Sequence, residues 1–172
     1  WSGFSNISQN YTPYSLDWSL TGVELTAYAG KTVRLAFHYY TNSATTYRGW
    51  YVDDVALWHG VPVFNNPEGF ELGWTDWANR ADVWVTDEGG WQLGEPTTGP
   101  GAAHGGTSVA ATRLDANPPS NTSTRLISPT VTLPSTAENE EIWLRFWQYL
   151  YTRDFSDYGR VQLQEKLGDG TW

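Results

Sequence analysis

Two adjacent aspartates, Asp53 and Asp54, sit in the middle of "RGWYVDDVALW" (48–58) and are the first residues that ask for a chemical role. The aromatic, β-branched and apolar residues around them read as a β-strand. Side chains alternate between the two faces of a strand, so the spacing predicts that one of the two carboxylates faces inward. A buried carboxylate is costly unless it is paired, hydrogen-bonded or bound to a metal. Hard oxygen donors suit Ca2+, which takes about six to eight of them, backbone carbonyls included. The alternative is a carboxylate held by backbone N–H groups, or by Arg48 or Arg145.

Other residue types point to less chemistry. His38, His59 and His104 are scattered, without the spacing of a zinc site. A glycosidase needs two carboxylates set across a cleft, and nothing in the sequence pairs Asp154, Asp157, Glu140 and Glu141 in that way. No G-x-S-x-G elbow marks a serine nucleophile, and no cysteine is present for thiolate chemistry, disulfides or Cys-ligated metals. A non-enzymatic role is expected. Asn6, Asn10 and Asn121 open N-x-S/T sequons, which mark surface loops of a secreted protein or arise by chance in Asn- and Thr-rich loops.

The elements that must carry these residues are strands. The 172 residues contain 11 Trp, 10 Tyr and 6 Phe, with 17 Gly and 9 Pro as punctuation. Aromatic segments broken by turn residues predict an all-β sandwich or barrel. "KTVRLAFHYY" (31–40) alternates Val33, Leu35, Phe37 and Tyr39 against Arg34, Ala36 and His38. Further strands are expected over 18–25, 49–58, 70–74, 81–87, 90–94, 107–114, 123–129, 130–134, 141–152 and 159–167. In "EIWLRFWQYLYT" one face carries Ile142, Leu144, Phe146 and Leu150 and the other Trp143, Trp147, Tyr149 and Tyr151. One face is core, and the other meets a second layer, a neighbouring subunit or a glycan. Trp74, Trp77, Trp143, Trp147 and Tyr149 are the candidate aromatic binding residues. A net charge of −9 argues against nucleic acid and anionic membranes as partners. No apolar run of bilayer-spanning length and no signal peptide is read, and the absence of Met suggests a processed chain or an excerpt.

"LTAYAGKTVRLAFHYYTNSATTYRGWYVDDVALW" closely resembles the last strands of MAM-like jelly-roll modules, as found in the accessory domains of immune-inhibitor-A-type metalloproteases. Phe70-Glu71, Gly73-Trp74, "WQLGEPTTGPGAAHGGTSVAAT", "LISPTVTLP", "FWQYLYTRDFSDYGRVQL" and "DGTW" resemble the opening strands of the same module. The resemblance implies an antiparallel jelly-roll β-sandwich. It also implies that an acid of the final strand, Asp53 or Asp54, sits with Glu71 near a structural calcium, with Asp154 and Asp157 as weaker ligands.

The resemblance places the closing half of a module first and the opening half second. Residues 1–60 are expected to be the C-terminal half of one module, 61–69 a Gly/Pro/Asn-rich linker, and 70–172 the N-terminal half of the next. The chain then reads as one out-of-phase period of a tandem array, or as a permuted single domain. A half-module exposes strand edges that demand a partner, so the expected role is an extracellular structural repeat. Its partners would be copies of itself or adjacent repeats, joined head to tail in a surface filament or stalk. The second expectation is a carbohydrate- or protein-binding accessory domain of a secreted enzyme.

Overall fold

The structure is a computed structural model that describes residues 2–12, 15–62, 68–75, 84–87, 90–153 and 156–172. Among these residues the chain forms twelve strands: β1 (Ser5–Asn6), β2 (Ser19–Glu24), β3 (Thr32–Tyr40), β4 (Gly49–His59), β5 (Val61–Pro62), β6 (Val85–Thr86), β7 (Gln92–Gly94), β8 (Val109–Ala111), β9 (Ser123–Ile127), β10 (Val131–Thr132), β11 (Trp143–Tyr151) and β12 (Tyr158–Glu165). They build two antiparallel sheets, β1-β12-β3-β9-β6 with β10 also on β3, and β2-β11-β4-β8-β7 with β5 also on β4. The all-β expectation is met.

The alternation in β3 sends Val33, Leu35, Phe37 and Tyr39 between the sheets, and Leu144, Phe146 and Leu150 of β11, with Ile142 just before it, meet them. Aromatic rings knit the two layers together. Phe37 lies 4.9 Å from Phe146 and 5.7 Å from Trp50, and Trp50 lies 5.8 Å from Trp91, centroid to centroid. The buried Trp50 indole donates to Gln148 Oε1 at 2.8 Å, which satisfies the one polar atom it brings inside. Gly159 on β12 makes room for this ring, because a Cβ there would stand 2.7 Å from Trp50.

Pairing crosses the chain's two segments. Among the described residues β1 pairs with β12, β2 with β11, β3 with β12, β9 and β10, and β4 with β11 and β8. Thus no strand of residues 1–60 pairs with another strand of that segment. Residues 1–60 and 70–172 are two halves of one sandwich, and neither forms a sheet that would stand without the other. Gly3 and Trp172 lie side by side, with a Cβ on Gly3 only 3.7 Å from the Trp172 carbonyl.

Three local expectations change. The segment 70–74 is not a strand: Phe70 and Gly73 take φ of +58° and +82°, and Gly73–Thr75 is a 3-10 turn. Left-handed backbone at two positions so close together breaks an extended run. The expected linker is partly sheet, since Val61 and Pro62 pair with β4 and Glu68 bridges Val55. Residues 63–67 and 81–83 lie outside the described residues, so the expected strand over 81–87 is seen only as Val85–Thr86.

The third change concerns the aspartate pair. The β4–β11 register runs from Arg145↔Ala56 to Trp147↔Asp53, so Asp54 and Val55 together oppose the single residue Phe146. This is a β-bulge, and Asp54 occupies it with φ of +48°. The extra residue resets the alternation. Trp50 and Val52 face the core before the bulge, and Val55 and Leu57 face it after. One of the two aspartates, Asp53, is buried as expected; what changes is the place, because the bulge keeps both off the inner face and Asp53 is buried on the outer one.

Candidate functional site

On the outer face of the β2-β11-β4 sheet the acidic bulge meets two other segments. A loop running from Thr98 to Ser108 is strapped across this face. Arg48 Nη1 donates to the Gly99 carbonyl at 2.8 Å, Trp18 Nε1 to the Ala102 carbonyl at 3.2 Å, and the Tyr51 and Thr98 hydroxyls are 2.9 Å apart. A Cβ on Gly99 would fall 2.4 Å from the Tyr51 ring, so only glycine lets the loop lie this close. Beneath the strap, Asp53 is fully buried.

Asp53 is held by main-chain donors. Its Oδ1 accepts from the Asp54 N–H at 2.8 Å, and its Oδ2 accepts from the His104 and Gly105 N–H groups at 2.9 and 3.1 Å. Burial pushes its carboxyl up to about 7, against the downward pull of these three bonds, and the neighbouring Asp54 adds to the rise. Asp54 Oδ2 stands 2.7 Å from His104 Nδ1, and the His104 ring stacks on Trp147 at 3.8 Å and 14°. Glu71 closes the other side. Its Oε1 accepts from the Thr107 and Ser108 N–H groups at 2.9 and 2.7 Å, and its Oε2 from the Thr107 hydroxyl at 2.9 Å. Burial raises the Glu71 carboxyl, but these donors outweigh it and hold the group below its ordinary value.

The structure thus brings Asp53, Asp54 and Glu71 to one stretch, His104–Ser108. The glycines there are required by contact: a Cβ on Gly105 would lie 2.9 Å from Asp54 Oδ2, and one on Gly106 2.4 Å from Glu71 Oε1. Glu68 adds a fourth carboxyl, buried, with Oε1 accepting from the Phe70 N–H at 2.8 Å. Glu68, His104 and Thr107 are site residues that the sequence reading did not single out. The signal for the last two was present in "AHGGT", a pair of glycines beside polar side chains in a loop.

The donor chemistry of this cluster, carboxylate oxygens from two segments, is that of a calcium site. Its geometry is that of a hydrogen-bonded clasp. Both oxygens of Asp53 and of Glu71 are engaged by N–H or O–H donors, and among the described residues no three acidic or histidine side chains converge as metal ligands. Asp157 does not join them. It is buried near the start of β12, where its Oδ1 accepts from the Asn42 N–H at 3.0 Å. Asp154 lies outside the described residues. His104 and Asp54 form a pair, but among the described residues no hydroxyl is hydrogen-bonded to His104, so the third member of a nucleophilic relay is not in place.

The aromatic candidates divide. Trp143 lies against Gly22 of β2, whose Cβ would be 3.2 Å from its ring, and donates to Glu141 Oε2 at 2.7 Å. Trp147 shares that outer face, with exposed Arg145 between the two and its guanidinium 5.9 Å from the Trp58 ring. Tyr149 points the same way but is buried against Tyr51 and Trp18. Trp74 is elsewhere, edge-on to Phe70 at 6.4 Å and packed on the core. Trp77 lies outside the described residues. Of the sequons, Asn10 and Asn121 are exposed in loops, and Asn6 is exposed on β1, where its Oδ1 accepts from Gln162 Nε2 at 2.8 Å. Among the described residues no helix is long and apolar enough to cross a membrane. Compared with protein-family models, with curated proteins and with solved structures, the chain matches none.

Proposed function

We propose that the chain is a non-enzymatic, extracellular jelly-roll module with a structural role, joined to copies of itself or to adjacent repeats head to tail. The observation this reading starts from is the pairing pattern, which within one chain completes a permuted single domain and between copies would complete an array. Every described strand of residues 1–60 is completed by strands of 70–172, and Gly3 lies beside Trp172. The segment 70–172 of one copy can then receive the segment 1–60 of the next with the same pairing throughout. Such an exchange is heterologous and need not close, which is the geometry of a filament or stalk.

The acidic clasp fits this role. It ties the bulged strand β4 of the first segment to Glu71 and the loop of the second, so it locks whichever two segments have met. A calcium ion held by Asp54 and Glu71 is part of the proposal and rests on donor chemistry alone.

The test is complementation. Residues 1–60 and 70–172, produced separately, are expected to be unfolded alone and to form a one-to-one sandwich on mixing. A fragment that folds by itself removes the reading. The intact mass of the natural polypeptide then separates an array within one chain from assembly between chains.

A second reading, a glycan- or protein-binding accessory module, is favoured by the half-exposed Trp143 and Trp147 on either side of exposed Arg145. Polysaccharide binding lost in both Trp143→Ala and Trp147→Ala would establish it in place of the first.

A further inference from the structure

Among the described residues β2 ends its sheet, with β11 on one side and no strand on the other. Its register with β11 runs unbroken from Ser19 to Glu24, and just beyond it the Leu25 N–H donates to the Ile142 carbonyl at 2.7 Å. Antiparallel pairs alternate between bonded and non-bonded, so Ser19, Thr21 and Val23 turn their main chain to β11. Leu20, Gly22 and Glu24 turn their N–H and C=O groups to the free edge, and all three are exposed.

The other sheet ends are guarded by brevity. β1 and β6 are two residues long and β7 is three. β2 has six residues, with no Pro, no Lys and no bulge to turn a strand away. Two very exposed apolar side chains stand beside it, Leu16 at 88% and Leu20 at 56%. Along its inner side runs a groove of about 590 Å³, lined by Ile7, Tyr11, Thr21 and Val23 among others. Such an edge is built to receive an extended strand.

"SLTGVE" is its own complement. A two-fold axis at Gly22 sets Leu20 opposite Glu24 of a second copy and Gly22 opposite Gly22, each pair exchanging two main-chain hydrogen bonds. Thr21 then falls opposite Val23, a β-branched pair whose side chains enter the groove. Glycine leaves the axis clear on the outer face, where the Trp143 ring already lies against Gly22. The chain carries a net charge of −9, yet in this register no two carboxylates face each other across the contact.

We infer that β2 pairs with β2 of a second copy about this axis, joining two β2-β11-β4-β8-β7 sheets into one continuous sheet. The contact is isologous and closed. It is independent of the head-to-tail reading, because it uses the edge that the pairing of 1–60 with 70–172 leaves free.

The test is sedimentation of the full chain over a concentration series. The wild type is expected to show a monomer–dimer equilibrium. Leu20→Glu sets carboxylates face to face on both sides of the axis and should weaken the dimer about tenfold. Leu20→Lys sets an ammonium opposite Glu24 and should leave the dimer at least as tight, whereas association through apolar area alone would be weakened by both variants. The chain has no cysteine, so Leu20→Cys and Glu24→Cys proteins report the register. Opposite residues of a bonded pair lie about 5.5 Å apart, within disulfide reach. Mixed and oxidised, the two proteins should form the mixed disulfide, and neither should cross-link to itself. A monomer at every concentration up to about 1 mM, a Leu20→Glu dimer as tight as the wild type, or a Leu20→Lys dimer as weak as Leu20→Glu would overturn the pairing. Self-cross-linking in place of the mixed disulfide would overturn the register. Assembly with no mixed disulfide would overturn the edge contact and leave the head-to-tail reading standing.

Discussion

Deleting Asp54 is the sharpest test of how this strand is built. In a regular strand, removing one residue turns every side chain beyond it to the opposite face. Val55 and Leu57, both fully buried, would exchange places with Ala56 and Trp58. Losing two such side chains from the core costs about 1.5–3 kcal/mol each, enough to unfold a marginal domain. The bulge predicts otherwise. Asp54 is the supernumerary residue, so its deletion leaves Val55 opposite Phe146 and keeps Trp50, Val52, Val55 and Leu57 all inward. What is lost is the Asp54–His104 contact and the Asp54 N–H bond to Asp53, about 1 kcal/mol apiece. What is gained is release from a left-handed backbone worth about 1–2 kcal/mol. The deletion should therefore cost no more than about 2 kcal/mol, on the same scale. Asp54→Val should cost more, because a β-branched side chain is forced into that backbone region and the same bonds are lost. Urea unfolding followed by tryptophan fluorescence reads both variants. If the deletion variant is unfolded, or less stable than Asp54→Val, the account of the bulge is wrong.

Three further outcomes are expected. Gly159→Ala should destabilise the sandwich by about 1–3 kcal/mol, since the new methyl would have to push the buried Trp50 ring aside, and unchanged stability would show that the sheets have slack there. Asp53 carries a folded-state carboxyl raised from its ordinary 3.8 to about 7, so its contribution is fully present below 3.8 and is lost as pH rises through 7. The difference in urea midpoint between the wild type and Asp53→Asn should accordingly shrink from pH 4 to pH 7, and a difference independent of pH would refute the shift. The lowered Glu71 acts in the opposite sense, adding stability above its ordinary 4.5 that is lost as pH falls below it, and being present in both proteins it cancels from their difference. If calcium is held at Asp54 and Glu71, EDTA lowers the melting temperature, added Ca2+ restores it, and Glu71→Gln loses the response. A melting curve indifferent to chelator removes calcium from the proposal.

Local pattern carried the sequence reading a long way. The inward set of β3 and both faces of β11 were legible because the residues of each strand that face the other sheet are large and apolar and recur with a period of two. The Asp53–Asp54 pair was legible as an oddity, two charges in an apolar strand. Its solution was not, because a bulge is defined by the partner strand having one residue fewer, and β11 is some ninety residues away in the chain. "FELGW" failed for a related reason. Its residues have strand propensity, but Phe70 is drawn into a left-handed turn while the Glu68 backbone bridges Val55 and the Glu68 side chain takes the Phe70 N–H.

Composition and periodicity by themselves determined the class of this protein: strands, an aromatic core, turns at the glycines and prolines. Those are consequences of side-chain volume, branching and backbone freedom, which each residue carries wherever it stands. Tertiary structure alone decided that the first 60 residues pair only with the rest, that both aspartates look outward, and that Glu71 and His104 meet them over one glycine-rich loop. Such facts depend on hydrogen bonds and contacts between distant segments, which come into being only when the two sheets close on each other.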